Sequence, residues 1–167
     1  MKTLVLFYSY EGNTELIAKE IAKTIGADQV RLHPREEKHY TGFMKYVWNG
    51  KSAVMREKPE LEPIDKDLLS YDLIFLGTPV WAGSWAPVFN TLFERWNFTG
   101  KKIACFYCHA GGPGSIEKRF RRELSTASLL GFCGFVDPLW SKDSEKQKQK
   151  ARQWAQEMMT LASQDKR

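Results

Sequence analysis

Residues 2–26 read KTLVLFYSYEGNTELIAKEIAKTIG. Lys2 to Ser9 is a short, β-prone run with apolar residues on both alternations, the pattern of a strand buried on both faces in a parallel sheet. It ends at a Gly12-Asn13 turn. From Asn13 the period changes: Ile17, Ile21 and Ile25 recur every four residues beside Leu16, Ala18 and Ala22, and Gly26 stands where a helix C-cap belongs. The order is strand, loop, helix. Parallel neighbours need such crossovers, because a hairpin cannot join them, and the crossovers are right-handed.

The same unit recurs downstream. DLIFLG after Tyr71 reads as a strand, and Ser84 is placed to cap a helix with Val88, Phe89, Leu92, Phe93 and Trp96 on one face, Pro87 being tolerated in its first turn. KKIACFYC is a further strand that turns at HAGGPG, after which Ser115 is placed to cap a helix carrying Ile116, Phe120 and Leu124. Gln29–Leu32 is a weaker second strand, and Gly131–Val136 a weaker fifth, broken by Gly134. A last helix over Ser144–Ala162 puts Ala151, Trp154, Ala155, Met158 and Ala162 on one face. The expectation is an α/β fold: a five-stranded parallel sheet with helices on both faces, formed by residues 1–167 as one domain. His33–Leu69, with three prolines, fits least well. A short helix is expected near Gly42–Met55, with Phe43, Tyr46, Val47 and Trp48 either packing on the sheet or walling a pocket.

Composition agrees with a globular chain: 43% hydrophobic and 27% charged residues over 167 positions, long enough to bury roughly 68–70% of the unfolded surface without disulfides. There is no secretory signal pattern and no apolar run near the ~20 residues that span a bilayer. A cytoplasmic protein without membrane contact is expected. The net charge of +5 is uneven: residues 1–100 carry 12 basic and 13 acidic side chains, residues 101–167 carry 13 and 7. The excess lies at Lys118, Arg119, Arg121 and Arg122, then at Lys142, Lys146, Lys148, Lys150 and Arg152. Both groups are either solvated helix faces or a docking surface for an acidic partner. Neither shows the aromatic interleaving of a single-strand binder, nor any helix-turn-helix or zinc-finger spacing, so nucleic-acid binding is not expected.

In an open α/β sheet, ligands bind outside the carboxyl ends of the strands, where the strand order reverses. The first loop there, Ser9-Tyr10-Glu11-Gly12-Asn13-Thr14, runs directly into a helix start, with two hydroxyls and free backbone N–H groups. That combination suits a phosphate; the alternative is an ordinary turn capped by Asn13. Neither GxxxxGK[ST] nor GxGxxG is present, and strand three ends in Gly77-Thr78 without the Asp of a phosphate-accepting receiver. The second loop, Thr78-Pro79-Val80-Trp81-Ala82-Gly83, sets tryptophan among small residues, for stacking on a ligand or for packing. The third, His109-Ala110-Gly111-Gly112, lets a backbone approach a flat ligand closely. Three such loops side by side suit one planar, phosphorylated ligand.

Together, S-Y-E-G-N-T, T-P-V-W-A-G and H-A-G-G at the ends of strands one, three and four resemble the flavodoxin-like proteins. The resemblance implies a three-layer flavodoxin-like fold with strand order 2-1-3-4-5, the order given for flavodoxin itself. It implies flavin mononucleotide (FMN) as cofactor. Ser9, Glu11, Gly12, Asn13 and Thr14 then match the phosphate loop; Thr78, Pro79, Val80, Trp81, Ala82 and Gly83 match the ring-binding turn, with Trp81 as the stacking candidate; His109, Ala110, Gly111 and Gly112 match the third loop. The implied function is electron transfer to a redox partner protein or a small-molecule acceptor. The alternatives are an NAD(P)H-dependent FMN or quinone reductase, with His109 donating to the acceptor, and a module of this fold with weak or no flavin binding. A homodimer stays open. Three departures stand out: Glu11 replaces the Thr or Ser common in flavodoxins, the third loop lacks the Tyr that covers the outer ring face, and the chain is basic where typical flavodoxins are acidic.

Other motifs carry less. Cys105 and Cys108 form a CxxC on a strand, where residues three apart face opposite sides, so they are expected to be buried and inert. His33 and His39 have no companions at metal-ligand spacing, and no hydrolytic elbow appears.

Overall fold

The computed structural model describes residues 1–36, 47, 51 and 56–164. The chain runs β1 (Thr3–Phe7), α1 (Asn13–Ile25), β2 (Asp28–Arg31), a 3-10 turn (Leu68–Ser70), β3 (Leu73–Pro79), α2 (Val88–Arg95), β4 (Lys102–His109), α3 (Ile116–Glu123), β5 (Ser128–Val136) and α4 (Ser144–Gln164). The five strands form one parallel sheet in the order β2-β1-β3-β4-β5. This is the 2-1-3-4-5 order that the resemblance to the flavodoxin-like proteins implies.

Two cores flank the sheet. One joins Leu4, Leu6, Ile74, Leu76, Ile103 and Cys105 to Val88, Phe89 and Leu92 of α2 and to Ile116 and Phe120 of α3. The other joins Val5, Phe7, Phe75, Phe106, Cys108 and Phe135 to Ile17 and Ile21 of α1 and to Trp154 and Met158 of α4. Alternate residues of each strand therefore serve opposite layers, and a fully buried large side chain contributes roughly 1.5–3 kcal/mol. Cys105 and Cys108 do fall on opposite faces, both buried and unbridged. Burial pushes the Cys108 thiol up to about 12 and that of Cys133 up to about 11, which keeps both protonated.

Local differences from the sequence reading have physical causes. β5 starts at Ser128, three residues earlier than expected, and passes through Gly134 unbroken. Gly134 is there because the Tyr107 ring lies against it: an added Cβ would sit 2.6 Å from Tyr107 Cε2. Ser84 does not cap α2. The helix starts at Val88 with Pro87 in the cap position at φ −53°, while Ser84 closes a turn described below. Trp85 belongs to the core, 7% exposed, with its indole N–H donating to Asn90 Oδ1 at 2.8 Å. After β2 the chain makes an antiparallel bridge between Pro34 and Leu61, with Arg35 N–H donating to the Glu60 carbonyl at 2.8 Å. The helix expected over Gly42–Met55, with Phe43, Tyr46 and Trp48, lies outside the described residues apart from Val47 and Lys51, as does His39. No helix among the described residues is long and apolar enough to cross a membrane.

Of the glycines in the sheet, Gly77 has the least room for a side chain. It pairs with Phe106 on β4, and a Cβ at Gly77 would lie 2.1 Å from Phe106 Cζ. Gly77→Ala is therefore expected to destabilise the fold by roughly 1–3 kcal/mol through overpacking, read as a lower urea midpoint. Phe106→Leu in the same chain should recover part of the loss.

Candidate functional site

The parallel sheet brings the carboxyl ends of β1, β3 and β4 to one edge, and the order reverses between β1 and β3. A cleft of about 160 Å³ opens there, lined by Ser9, Tyr10, Glu11, Asn13, Thr14, Pro79, Val80, Trp81, Ala82, Cys108, His109, Ala110 and Asp137.

The first loop is organised by Ser9. Its side chain is fully buried, and its Oγ accepts from Gly12 N–H and Glu15 N–H, both at 3.1 Å. With both lone pairs engaged, that hydroxyl keeps only its proton to offer. Gly12, at φ 100°, adopts a backbone conformation that suits glycine and starts α1 as its N-cap. Asn13, the cap in the alternative reading of this loop as an ordinary turn, instead accepts Leu139 N–H at Oδ1, 2.8 Å away, which ties the loop after β5 to this one. The N–H groups of Asn13 and Thr14 lie in the first turn of α1 and have no acceptor inside the helix. Thr14 is 1% exposed, and its Oγ1 has no partner in hydrogen-bond geometry among the described residues; its polar neighbour is the Cys108 thiol, a weak hydrogen-bonding group on which Thr14 acts against the effect of burial. Glu11 is exposed at the rim. Behind the loop, Arg31 donates from Nη2 to the Ser9 carbonyl and from Nη1 to Glu15 Oε2, each at 2.8 Å.

The second loop is a tight turn. Trp81 and Ser84 exchange backbone bonds, Trp81 N–H to Ser84 O at 2.8 Å and Ser84 N–H to Trp81 O at 3.0 Å, and Ala82 and Gly83 both have positive φ, 48° and 70°. These are the features of a type I′ turn. Trp81 is half-buried and held edge-to-face by Tyr8 at 5.8 Å and Tyr10 at 5.6 Å. Thr78 stands behind the turn, fully buried, accepting Ala86 N–H at 3.0 Å. Gly83 faces away from the cleft towards the third loop, where a Cβ on Gly114 would come within 2.4 Å of the Gly83 Cα.

In the third loop, His109 Nδ1 accepts Gly112 N–H at 3.0 Å, so the neutral ring carries its proton on Nε2. Tyr107 stacks on it at 6.1 Å, and Asp137 N–H donates to the His109 carbonyl at 3.0 Å. Burial lowers the His109 pKa, partly opposed by Asp137. Of the residues nominated from the sequence, Gly12, Thr78, Gly83, Gly111 and Gly112 are not in the cleft lining, and they shape the loops. Tyr10, Cys108 and Asp137 line it without having been nominated. For Asp137 the available signal was its place just after the fifth strand, at the same sheet edge. No group of three or more His, Cys, Asp or Glu that could hold a metal ion occurs among the described residues.

The sequence model described as Flavodoxin matches residues 2–130, so the chain belongs to the flavodoxin family. Flavodoxin 1 of Escherichia coli (strain K12) is 32% identical over 111 residues, 64% of this chain and 48% of that protein. The chain spans about half the length of the curated relatives it matches. Among solved structures, a flavoprotein of Lactobacillus acidophilus NCFM in complex with FMN superposes with TM-score 0.69 at 25% identity, covering 88% of this chain and 97% of that one. Oxidised Flavodoxin 2 of Bacillus cereus, at 20% identity and TM-score 0.61 over 96% of this chain and 99% of that one, shares the fold.

The His109 geometry gives a pH dependence. Its folded pKa lies below the ordinary 6.5, so between the two values the unfolded chain binds more protons. Stability is then constant above pH 6.5 and falls as the pH drops through that window. His109→Gln should flatten this limb, as measured by urea midpoints on either side of pH 6.5.

Proposed function

We propose that the chain binds FMN in this cleft, phosphate at the start of α1 and ring between the second and third loops, and that it serves electron transfer. The observation that carries the reading is the orphaned Thr14 hydroxyl. A buried hydroxyl without a partner costs roughly 1–3 kcal/mol, and this one sits beside two helix-start N–H groups and a Ser9 hydroxyl able only to donate. A phosphate accepts from all of these groups, and the half-positive charge of the helix start favours the anion. Glu11, exposed at the rim, has room to keep its carboxylate away from the phosphate, which favours flavin binding over a module that has lost it. The family match and the FMN complex of a similar protein support the same reading.

Bound flavin supplies one- and two-electron redox chemistry. The chain's own part is to anchor and enclose. Ser9 and Thr14 donate hydroxyl hydrogen bonds, Trp81 offers an aromatic wall held in place by Tyr8 and Tyr10, and Ala110 with Pro79 and Val80 excludes water from one side. His109 presents an Nε2–H donor, the feature that favours a second reading, a reductase taking electrons from NAD(P)H for a small-molecule acceptor. Loss of flavin colour on adding NADPH, with no second protein present, would favour the reductase; retention of colour would favour the carrier.

The test of the FMN reading is titration of the purified chain with FMN and with riboflavin, followed by visible absorbance. FMN is expected to bind and riboflavin to bind at least about tenfold more weakly, the equivalent of one charge-assisted hydrogen bond. Thr14→Val should weaken FMN by about tenfold while leaving the stability of the flavin-free chain unchanged or raised, since it removes an unpaired buried hydroxyl. Equal binding of the two flavins, or of neither, would overturn the proposal.

A further inference from the structure

A second concavity lies beside the third loop. A pocket of about 270 Å³ is lined by Arg56, Ser115, Lys118, Arg119 and Arg122, four of whose five side chains are cations. Helix α3 buries Ile116 and Phe120, and Arg121 lies over the Phe132 ring at 4.6 Å, a packing role. Lys118 and Arg122 have no such role and are exposed. They stand four residues apart, and Arg119 and Arg122 three apart, spacings at which like charges destabilise a helix.

The fold does not offset this repulsion. Among the described residues, none of the four cations forms an ion pair. The basic side chains of α4 behave differently. Lys146 pairs with Asp143 at 3.0 Å, Lys148 with Glu145 at 3.7 Å, and Arg152 with Glu20 at 2.8 Å and Glu145 at 2.7 Å. Of the two basic runs, one has three of its five cations paired with carboxylates, and the other sets unpaired cations around a hollow.

Ser115 links that hollow to the flavin cleft. Its Oγ accepts from Arg119 Nε at 3.1 Å and donates to the Gly83 carbonyl at 3.2 Å, while its N–H donates to the same carbonyl. The chain of contacts ends on the turn that carries Trp81. Guanidinium forks match phosphate oxygens in geometry and charge. The volume, just below the ~300 Å³ of small-ligand clefts, has room for the phosphorylated end of a ligand.

We infer that this pocket binds the phosphate of a phosphorylated nucleotide, seated next to the flavin cleft. Only its relation to the cleft rests on the FMN reading; the anion site does not. The experiment is calorimetric titration of the full chain, with and without added FMN, using NADP+, NAD+ (the same molecule lacking one phosphate) and inorganic pyrophosphate. NADP+ should bind at least about tenfold tighter than NAD+, the equivalent of one charge-assisted hydrogen bond. Pyrophosphate should compete with NADP+ but bind more weakly. Lys118→Ala/Arg122→Ala should abolish the preference for NADP+ and leave FMN affinity unchanged. Lys146→Ala/Lys148→Ala, the same loss of charge elsewhere, should keep it. Equal affinity for NADP+ and NAD+, pyrophosphate binding as tightly as NADP+, or an equal loss in the control variant would each overturn the inference. So would binding of an acidic protein at these residues with no response to NADP+. NADP+ binding that persists in a chain unable to bind FMN would sink the flavin reading and leave this one standing.

Discussion

β1 is hydrogen-bonded on both edges and covered on both faces, by α1 and α4 on one side and α2 and α3 on the other. A strand so enclosed can carry almost nothing polar along its length, and Thr3 to Phe7 are all buried. Its polar business is displaced to its carboxyl end, where the chain must turn into α1 and where the next strand in sequence lies on one side and β3 on the other. The site follows from that constraint. A central strand leaves a crevice at the point where its neighbours depart in opposite directions, and the helix that starts there brings unpaired N–H groups to the crevice whether or not a ligand is present.

The layers could be read from the sequence because each depends on short-range periodicity. The four-residue spacing of Ile17 and Ile21, and that of Ile116 and Phe120, reports one face of a helix, and the buried faces of α1, α3 and α4 are those the spacing indicated. Where the reading failed, a side chain distant in sequence decided. Gly134 looked like a strand breaker, yet it is the position over which the Tyr107 ring lies, and glycine there permits the strand to continue. Ser84 looked like a helix cap because it precedes an apolar periodic run; it is consumed by the Trp81–Ser84 turn, and Pro87 starts the helix with its φ already set.

The site was legible at the level of loops and less so at the level of atoms. Small and hydroxylated residues after β1, β3 and β4 marked the right edge. Which of them line the cleft depends on contacts between loops: the Gly83–Gly114 approach turns Gly83 away, and the Ala86 bond holds Thr78 behind the turn. Ser9 shows the same limit. Its residue type suggested a ligand contact, whereas the fold first uses its oxygen to gather Gly12 and Glu15 N–H groups, leaving only a directed proton. Asp137 was missed because a single acid after a weak strand carries no local pattern. Leu139 was missed for a similar reason, since its contact with Asn13 spans 126 positions.

Charge shows the difference between composition and arrangement most clearly. The basic excess of the last third is a property of the sequence, but its two runs have different physical meanings. Along α4 the carboxylates of Asp143, Glu145 and Glu20 meet Lys146, Lys148 and Arg152 at 2.7–3.7 Å, so most of that run is offset locally. Such exposed pairs add little stability, but they cancel the field that the helix would otherwise project. Around α3, Glu117 is instead engaged by the Tyr107 hydroxyl at 2.5 Å. That contact turns the carboxylate towards the Tyr107 hydroxyl, and Glu117 forms no ion pair with Arg121 or the cations beside it among the described residues. The ring that requires Gly134 in β5 thus also fixes where one of the two acids of α3 points, while Lys118, Arg119 and Arg122 keep no ion-pair partner among the described residues next to the loops at the sheet edge.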